Sequence, residues 1–329
     1  MRTSPNFIEI FLCGLYIAVG VLGSAGDRLP EFRVCVEECK SMVCDSVDTP
    51  HLAWYLTALM WDCPQNCDYN CQRRITAERI SKGEEVLQFH GKWPFKRLLG
   101  IQEPASVLFS ILNFVPHFKS FQKFRKSFPA DNARTDFFLK KYYIWMTVVG
   151  MNAWLWSSVF HTRDFVVTER LDYFSAGATI MTGFFVACIR IFRLDRQAKS
   201  PIRRALVALC LTAFSLHVAY LSLIRFSYTY NMAANVVIGL IQNGLWIFYS
   251  LTRYFGRPRE QRNPWVLRPM LIVLTISTGM GFELFDFSPF VDTIDAHSLW
   301  HAATVIPTGW LYDWIYRDAF RQIDIKRKM

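Results

Sequence analysis

The sequence predicts an all-α fold, a polytopic membrane protein built as a seven-helix transmembrane bundle with a small disulfide-rich lumenal segment at its N-terminus. Three observations predict it. About seven apolar runs approach the ~20 residues that a membrane helix needs. Lys and Arg, 37 in all, crowd between those runs, and six of the nine cysteines fall between Cys35 and Cys71. The 329 residues are 52% hydrophobic and 19% charged, against roughly 25% charged in an average soluble protein. This composition excludes a disordered chain, a collagen-like chain and a simple disulfide miniprotein. A pI near 9.2 suggests nucleic-acid binding. The basic residues, however, punctuate apolar runs and form no continuous patch, so no nucleic-acid partner is expected.

The N-terminus opens with Arg2, continues as an apolar stretch over 8–21, and reaches the small residues Gly23, Ser24 and Ala25 before polar Gly26-Asp27-Arg28. This reads as a signal peptide over 1–25. An uncleaved membrane helix is the competing reading, but the run is short and the small residues stand where cleavage occurs. Segment 26–97 then carries Cys35, Cys39, Cys44, Cys63, Cys67 and Cys71 in two trios. An even number of cysteines behind a signal peptide argues for three disulfides in an oxidising lumen. Zinc binding by these thiols is weaker, because no C-x2-C pair is present. The spacing does not choose among the possible pairings. Cys13 lies in the signal peptide, and Cys188 and Cys210 lie in apolar runs and read as core residues.

The expected spans, within 98–316, are 98–118, 142–160, 171–189, 205–223, 232–251, 267–285 and 297–316, followed by a basic cytosolic tail over 317–329. The first contains Glu103 and Pro104, and the sixth approaches Glu283 and Asp286. If the cysteine-rich segment is lumenal, the loops alternate between cytosol and lumen. Those assigned to the cytosol hold 23 Lys and Arg, and those assigned to the lumen hold only Arg163, Arg170 and Arg225. Basic residues stay cytosolic during insertion, so the N-terminus is expected in the lumen and the C-terminus in the cytosol.

Five chemically capable side chains then fall at one depth. Ser157 and His161 end the second span, Asp172 opens the third, and His297 and His301 open the seventh. Spacing of i, i+4 puts each pair on one helical face. Three imidazoles suffice for zinc with a fourth position left for water, and a neighbouring carboxylate serves as a proton shuttle. The plain alternative is interfacial histidines bonded to headgroups or backbone. A Ser-His-Asp triad is less economical, since it leaves His297 and His301 without a role. His217, alone in an apolar run, reads as a satisfied core histidine. His90, beside Gly91-Lys92-Trp93-Pro94-Phe95, reads as part of an interfacial anchor. Glu103, Glu283 and Asp286 either pair with Arg225 or tune the metal site, and the sequence does not choose.

Longer motifs carry a resemblance. They are Phe89-His90-Gly91-Lys92-Trp93-Pro94-Phe95, Gln102-Glu103-Pro104-Ala105-Ser106, Asn152-Ala153-Trp154 through Asp164, Tyr220 to Phe226, and Leu284-Phe285-Asp286-Phe287. Across almost the whole mature chain the sequence resembles the post-GPI-attachment-to-proteins factor 3 family of GPI-anchor remodelling enzymes, which are GPI-specific phospholipase A2-like. That family is similar in turn to alkaline ceramidases and to progestin and adiponectin receptors. Their shared pattern, S-x3-H, then Asp, then H-x3-H, falls on Ser157, His161, Asp172, His297 and His301. The resemblance implies Zn2+ on His161, His297 and His301, with Asp172 and Ser157 beside the bound water as the catalytic pair. It implies hydrolysis of the sn-2 carboxylic ester of GPI phosphatidylinositol in the lumenal leaflet, with GPI-anchored proteins and GPI lipid as substrate among membrane lipids. It also implies the Golgi membrane, with the endoplasmic reticulum as the alternative. A ceramidase-like amide hydrolase and a receptor-like membrane protein are the competing functions.

Overall fold

The computed structural model describes residues 24–45, 51–128 and 139–328, setting aside the side chains of 284–285 and 322–328. The signal peptide read over 1–25 lies outside them, except Ser24 and Ala25, and so does Cys13. The chain forms two compact units that meet in sequence at Phe95–Lys96.

The first unit is built on α1 (Pro30–Cys39), the short α2 (Trp54–Ala58) and α3 (Cys63–Ser81). Pro30 occupies the first turn of α1, where its missing N–H costs no hydrogen bond. The start of α3 is a capping box. The Asp62 carboxylate accepts the Gln65 N–H at 2.8 Å, and Gln65 Oε1 accepts the Asp62 N–H at 3.2 Å. The disulfides are Cys35–Cys71, Cys39–Cys67 and Cys44–Cys63. They are nested, first cysteine with last, as rungs between α1 with its C-terminal extension and α3. Phe32, Val36, Ile75 and Phe89 close the small core around the first rung. Sulfur atoms of Cys44, Cys63 and Cys67 come near one another only because adjacent rungs do, and each is already spent in a disulfide.

The 89–92 turn in this unit places His90 in the left-handed region, at φ 49°. Its backbone N–H donates to the Asp27 carboxylate at 2.9 Å, and its Nε2 meets Asp68 Oδ2 at 2.9 Å. His90 is therefore a latch between the helical turn Gly26–Arg28 and α3, which adds a structural role to the anchor read from its neighbours.

The second unit contains α4 (Pro104–Ser127), α5 (Leu139–Thr162), α6 (Val166–Ile191), α7 (Ser200–Ala219), α8 (Tyr228–Phe255), α9 (Arg268–Phe285) and α10 (Ala296–Lys328). Helices α4, α5, α6, α8, α9 and α10 pack in a closed ring, each against the next, and α7 leans on α6 from outside. At the end of the ring remote from the histidines, Arg190 of α6 is buried against Asp318 of α10 at 2.6 and 2.7 Å and reaches the Tyr249 hydroxyl of α8 at 3.0 Å. Phe124, Tyr143, Trp246, Tyr312 and Trp314 fill the core there.

The seven-span expectation is corrected by the helices themselves. Among the described residues, four stretches are long and apolar enough to cross a membrane: Val166–Ile191, Gln197–Ile224, Tyr228–Phe255 and Pro264–Glu283. The chain is a multi-pass membrane protein with four such helices, not seven. Helices α4, α5 and α10 fall short because their polarity is spent on one another. Ser106, Ser110, Asn113 and His117 of α4 are buried, as are Ser157 and His161 of α5 and Ser298, His301 and Thr304 of α10. Charges at Lys123, Arg125 and Lys126, at Lys140 and Lys141, and at Asp313, Arg317 and Asp318 lower their apolarity further. Leu209, Leu211, Leu216, Leu240 and Leu271, on the qualifying helices, point outward, as side chains solvated by lipid do.

Candidate metal centre

The three histidines meet where α5 ends and α10 begins. Asp295 starts α10: its carboxylate accepts the Ser298 N–H at 2.9 Å, and Ser298 Oγ accepts the Asp295 N–H at 2.9 Å. This fixes the entry of the helix just before His297 and His301 leave it. The end of α5 is fixed from the other side. The backbone N–H groups of Gln102 and Glu103 donate to the carbonyls of Thr162 and His161 at 3.1 and 3.0 Å. These are carbonyls that a helix end otherwise leaves unpaired.

One potential ligand atom from each of His161, His297 and His301 lies within 4.8 Å of the others. The Nε2 atoms of His161 and His297 are 3.4 Å apart. Every Nδ1 faces an acceptor. That of His161 meets Glu103 Oε2 at 2.8 Å, and that of His297 meets Glu283 Oε2 at 2.7 Å. That of His301 meets Ser110 Oγ at 3.1 Å and the Ser106 carbonyl oxygen at 3.4 Å. With neutral rings the proton on each sits at Nδ1, which leaves each Nε2 lone pair bare for a metal. Such anchoring of the far ring nitrogen is the usual support of metal-bound histidine.

The residues fit a metal. Two bare lone pairs at 3.4 Å repel, and a shared cation removes that repulsion. Zinc–nitrogen bonds of about 2.0–2.1 Å give tetrahedral N···N edges of about 3.3–3.4 Å, the separation observed here. The centre is enclosed on the side of His161 and His301, while the His297 side chain is 36% exposed. His161 and His301 are buried, and the Trp154 ring stands edge-on to His301 at 5.2 Å.

Ser157 joins the group through Ser110, Oγ to Oγ at 3.0 Å. Asp172 stands half-buried in the second turn of α6. Its neighbour Tyr173 meets the ring of Phe160, next to His161, at 6.1 Å. Of the carboxylates the sequence left open, Glu103 and Glu283 are histidine partners. Ser106, Ser110, Asn113 and His117 were legible as a stripe at helical spacing in an apolar run, yet none belongs to the expected pattern. Asn113 donates to the His301 carbonyl at 2.7 Å, and His117 Nδ1 meets the Tyr312 hydroxyl at 2.6 Å. His217 bonds Asn231 at 3.1 Å, the satisfied histidine expected of it.

Fold and centre together define a multi-pass α-helical membrane protein with a three-histidine cluster, two of the three buried, compatible with metal coordination. The chain belongs to the Per1-like family, whose description matches residues 53–319. It is 40% identical to Protein PER1 homolog of Schizosaccharomyces pombe, over 96% of this chain and 94% of that one. It is 38% identical to Protein PER1 of Saccharomyces cerevisiae, over 90% and 92% respectively. It is 39% identical to the GPI-specific phospholipase A2-like PGAP3 of Bos taurus, over 86% and 85%. No solved structure matches the chain.

Proposed function

We propose that this protein is a metal-dependent hydrolase that remodels GPI lipid, removing the sn-2 acyl chain of GPI phosphatidylinositol by ester hydrolysis. The observation that carries the reading is the histidine cluster, with each Nδ1 held by an acceptor and a ring nitrogen of each histidine within 4.8 Å of the others. Relatives named GPI-specific phospholipase A2-like supply the substrate class. His161, His297 and His301 would hold Zn2+. When bound, zinc supplies a polarising centre for the ester carbonyl and a water activated near neutral pH. The chain's own residues do the rest. Glu103 and Glu283 keep the Nδ1 protons in place, so the ligand nitrogens stay bare. Asp172 receives the proton lost by the attacking water and returns it to the leaving alcohol. Ser157 orients that water, and the half-exposed His297 marks the side from which water and substrate reach the centre.

The substrate lies in the lumenal leaflet. Three disulfides suit a lumenal first unit. In the second unit Arg190, Arg203, Arg253, Arg268 and Arg317 lie toward the end opposite the histidines, which suits a cytosolic end. GPI-anchored proteins are the substrates, and the Golgi membrane is the site of action. The test is rescue of cells lacking their own enzyme, read as saturated sn-2 chains on GPI-anchored proteins. Wild type restores them and His297→Ala does not. Full rescue by His297→Ala, or cleavage of an amide lipid in preference to the ester, overturns the reading.

A further inference from the structure

Ser110 lies outside the residue pattern that suggests the metal centre, yet its hydroxyl sits where α4, α5 and α10 meet. It is 0% exposed. Its Oγ has three neighbours: the Ser106 carbonyl oxygen at 2.7 Å, Ser157 Oγ at 3.0 Å and His301 Nδ1 at 3.1 Å. A serine hydroxyl has one proton and two lone pairs. The Ser106 carbonyl has no proton to give, so the Ser110 proton goes to it. Both lone pairs then receive, and the donors are the His301 Nδ1–H and the Ser157 hydroxyl. The second acceptor beside His301 Nδ1, that same Ser106 carbonyl at 3.4 Å, requires the same tautomer.

We infer that Ser110 is a positioning residue that sets the proton inventory of the centre. It holds His301 as the Nδ1–H tautomer, leaving Nε2 bare for the metal. It also draws the only Ser157 proton away from the reacting group, so Ser157 can accept a hydrogen bond from the attacking water but cannot donate to an oxyanion. Stabilising an oxyanion needs a donor, and a serine nucleophile needs a base for its proton. Ser157 donates its one O–H to the Ser110 oxygen, whose two lone pairs are then both in use. The half that concerns Ser157 rests on the hydrolase reading above, and the half that concerns His301 does not.

The test uses the full-length protein in detergent, with zinc affinity measured by chelator competition and turnover measured on a GPI lipid. Ser110→Ala weakens zinc binding about 10- to 100-fold, the usual cost of losing a partner to a metal-bound histidine. Ser110→Cys, which keeps the volume but accepts hydrogen bonds poorly, does the same, and Ser110→Thr restores affinity. Ser157→Ala leaves zinc affinity at the wild-type value while lowering turnover. The double variant with Ser110→Ala loses no more turnover than Ser110→Ala alone, since the two act as one unit. Wild-type zinc affinity in both Ser110→Ala and Ser110→Cys overturns the His301 half, and independent, additive turnover losses overturn the Ser157 half. If zinc affinity falls as stated but no variant, wild type included, cleaves GPI lipid, the proposed function fails and the positioning of His301 stands.

Discussion

Glu103 shows how a single side chain ties backbone to chemistry. Its N–H closes the end of α5 on the His161 carbonyl, and its carboxylate holds the Nδ1 of the same residue. Glu103→Ala should weaken zinc binding about 10- to 100-fold, and Glu103→Gln, which keeps one acceptor oxygen, should weaken it less. Chelator competition on the purified variants measures both. Asp172→Asn should behave differently. Zinc stays while turnover falls, by about 10²–10⁴-fold for loss of a general base. His90 offers a prediction about pH. A hydrogen bond donated to Asp68, opposed by burial and helped by the charges of Asp68 and Asp27, raises its pKa above the usual 6.5. A group with a raised folded pKa contributes stability that is full below the unfolded value and is lost as pH rises through the folded one. Wild type should therefore lose thermal stability relative to His90→Asn as pH rises from about 6 to about 8, with Asn chosen because it tolerates the left-handed backbone. A pH-independent difference between them contradicts the latch. At this scale the histidines were legible, because two i, i+4 pairs announce themselves. The partners of Glu103 and Glu283 were not. They lie 58 and 14 residues from their histidines, and Arg225 competed for them on paper.

Helix direction decides what spacing alone left open. Once α1 and α3 run side by side in opposite directions, Cys35 can reach only the far end of the second trio, and the remaining pairs follow as rungs. Losing one bridge from so small a unit should cost about 2–5 kcal/mol, so single Cys→Ser variants should be retained or degraded early in the secretory route. Pulse-chase of Cys35→Ser against wild type reads this out, and equal half-lives contradict it. Close approach matters between α4 and α5 as well. A methyl group at Gly150 would overlap the His117 ring, which is itself held by Tyr312. Gly150→Ala should cost about 1–3 kcal/mol of stability through overpacking, seen as a lowered thermal midpoint. The apolar runs gave the approximate position of each helix. They misjudged which helices suit lipid, because a run scored by itself does not reveal that the serines, asparagine and histidines of α4, α5 and α10 face one another inside the ring.

For the whole molecule, the separation of charge and chemistry is the organising feature. The imidazoles and their acceptors occupy one end of the second unit, and the Arg190–Asp318 pair with the surrounding arginines occupies the other. A cysteine placed at Ser200, the first residue of α7 after the basic connection from α6, should react with an impermeant thiol reagent added from the cytosolic side of intact microsomes. Protection there, with labelling from the lumen, reverses the orientation and removes GPI lipid of the lumenal leaflet as substrate. The central claim, however, is that His161, His297 and His301 jointly hold a metal on which the chemistry depends. Elemental analysis of the purified full-length protein, paired with turnover of the same sample, tests it most directly. One zinc per chain in wild type, and loss of both zinc and turnover in His297→Ala, is the predicted result. A preparation that turns over fully without bound metal contradicts it.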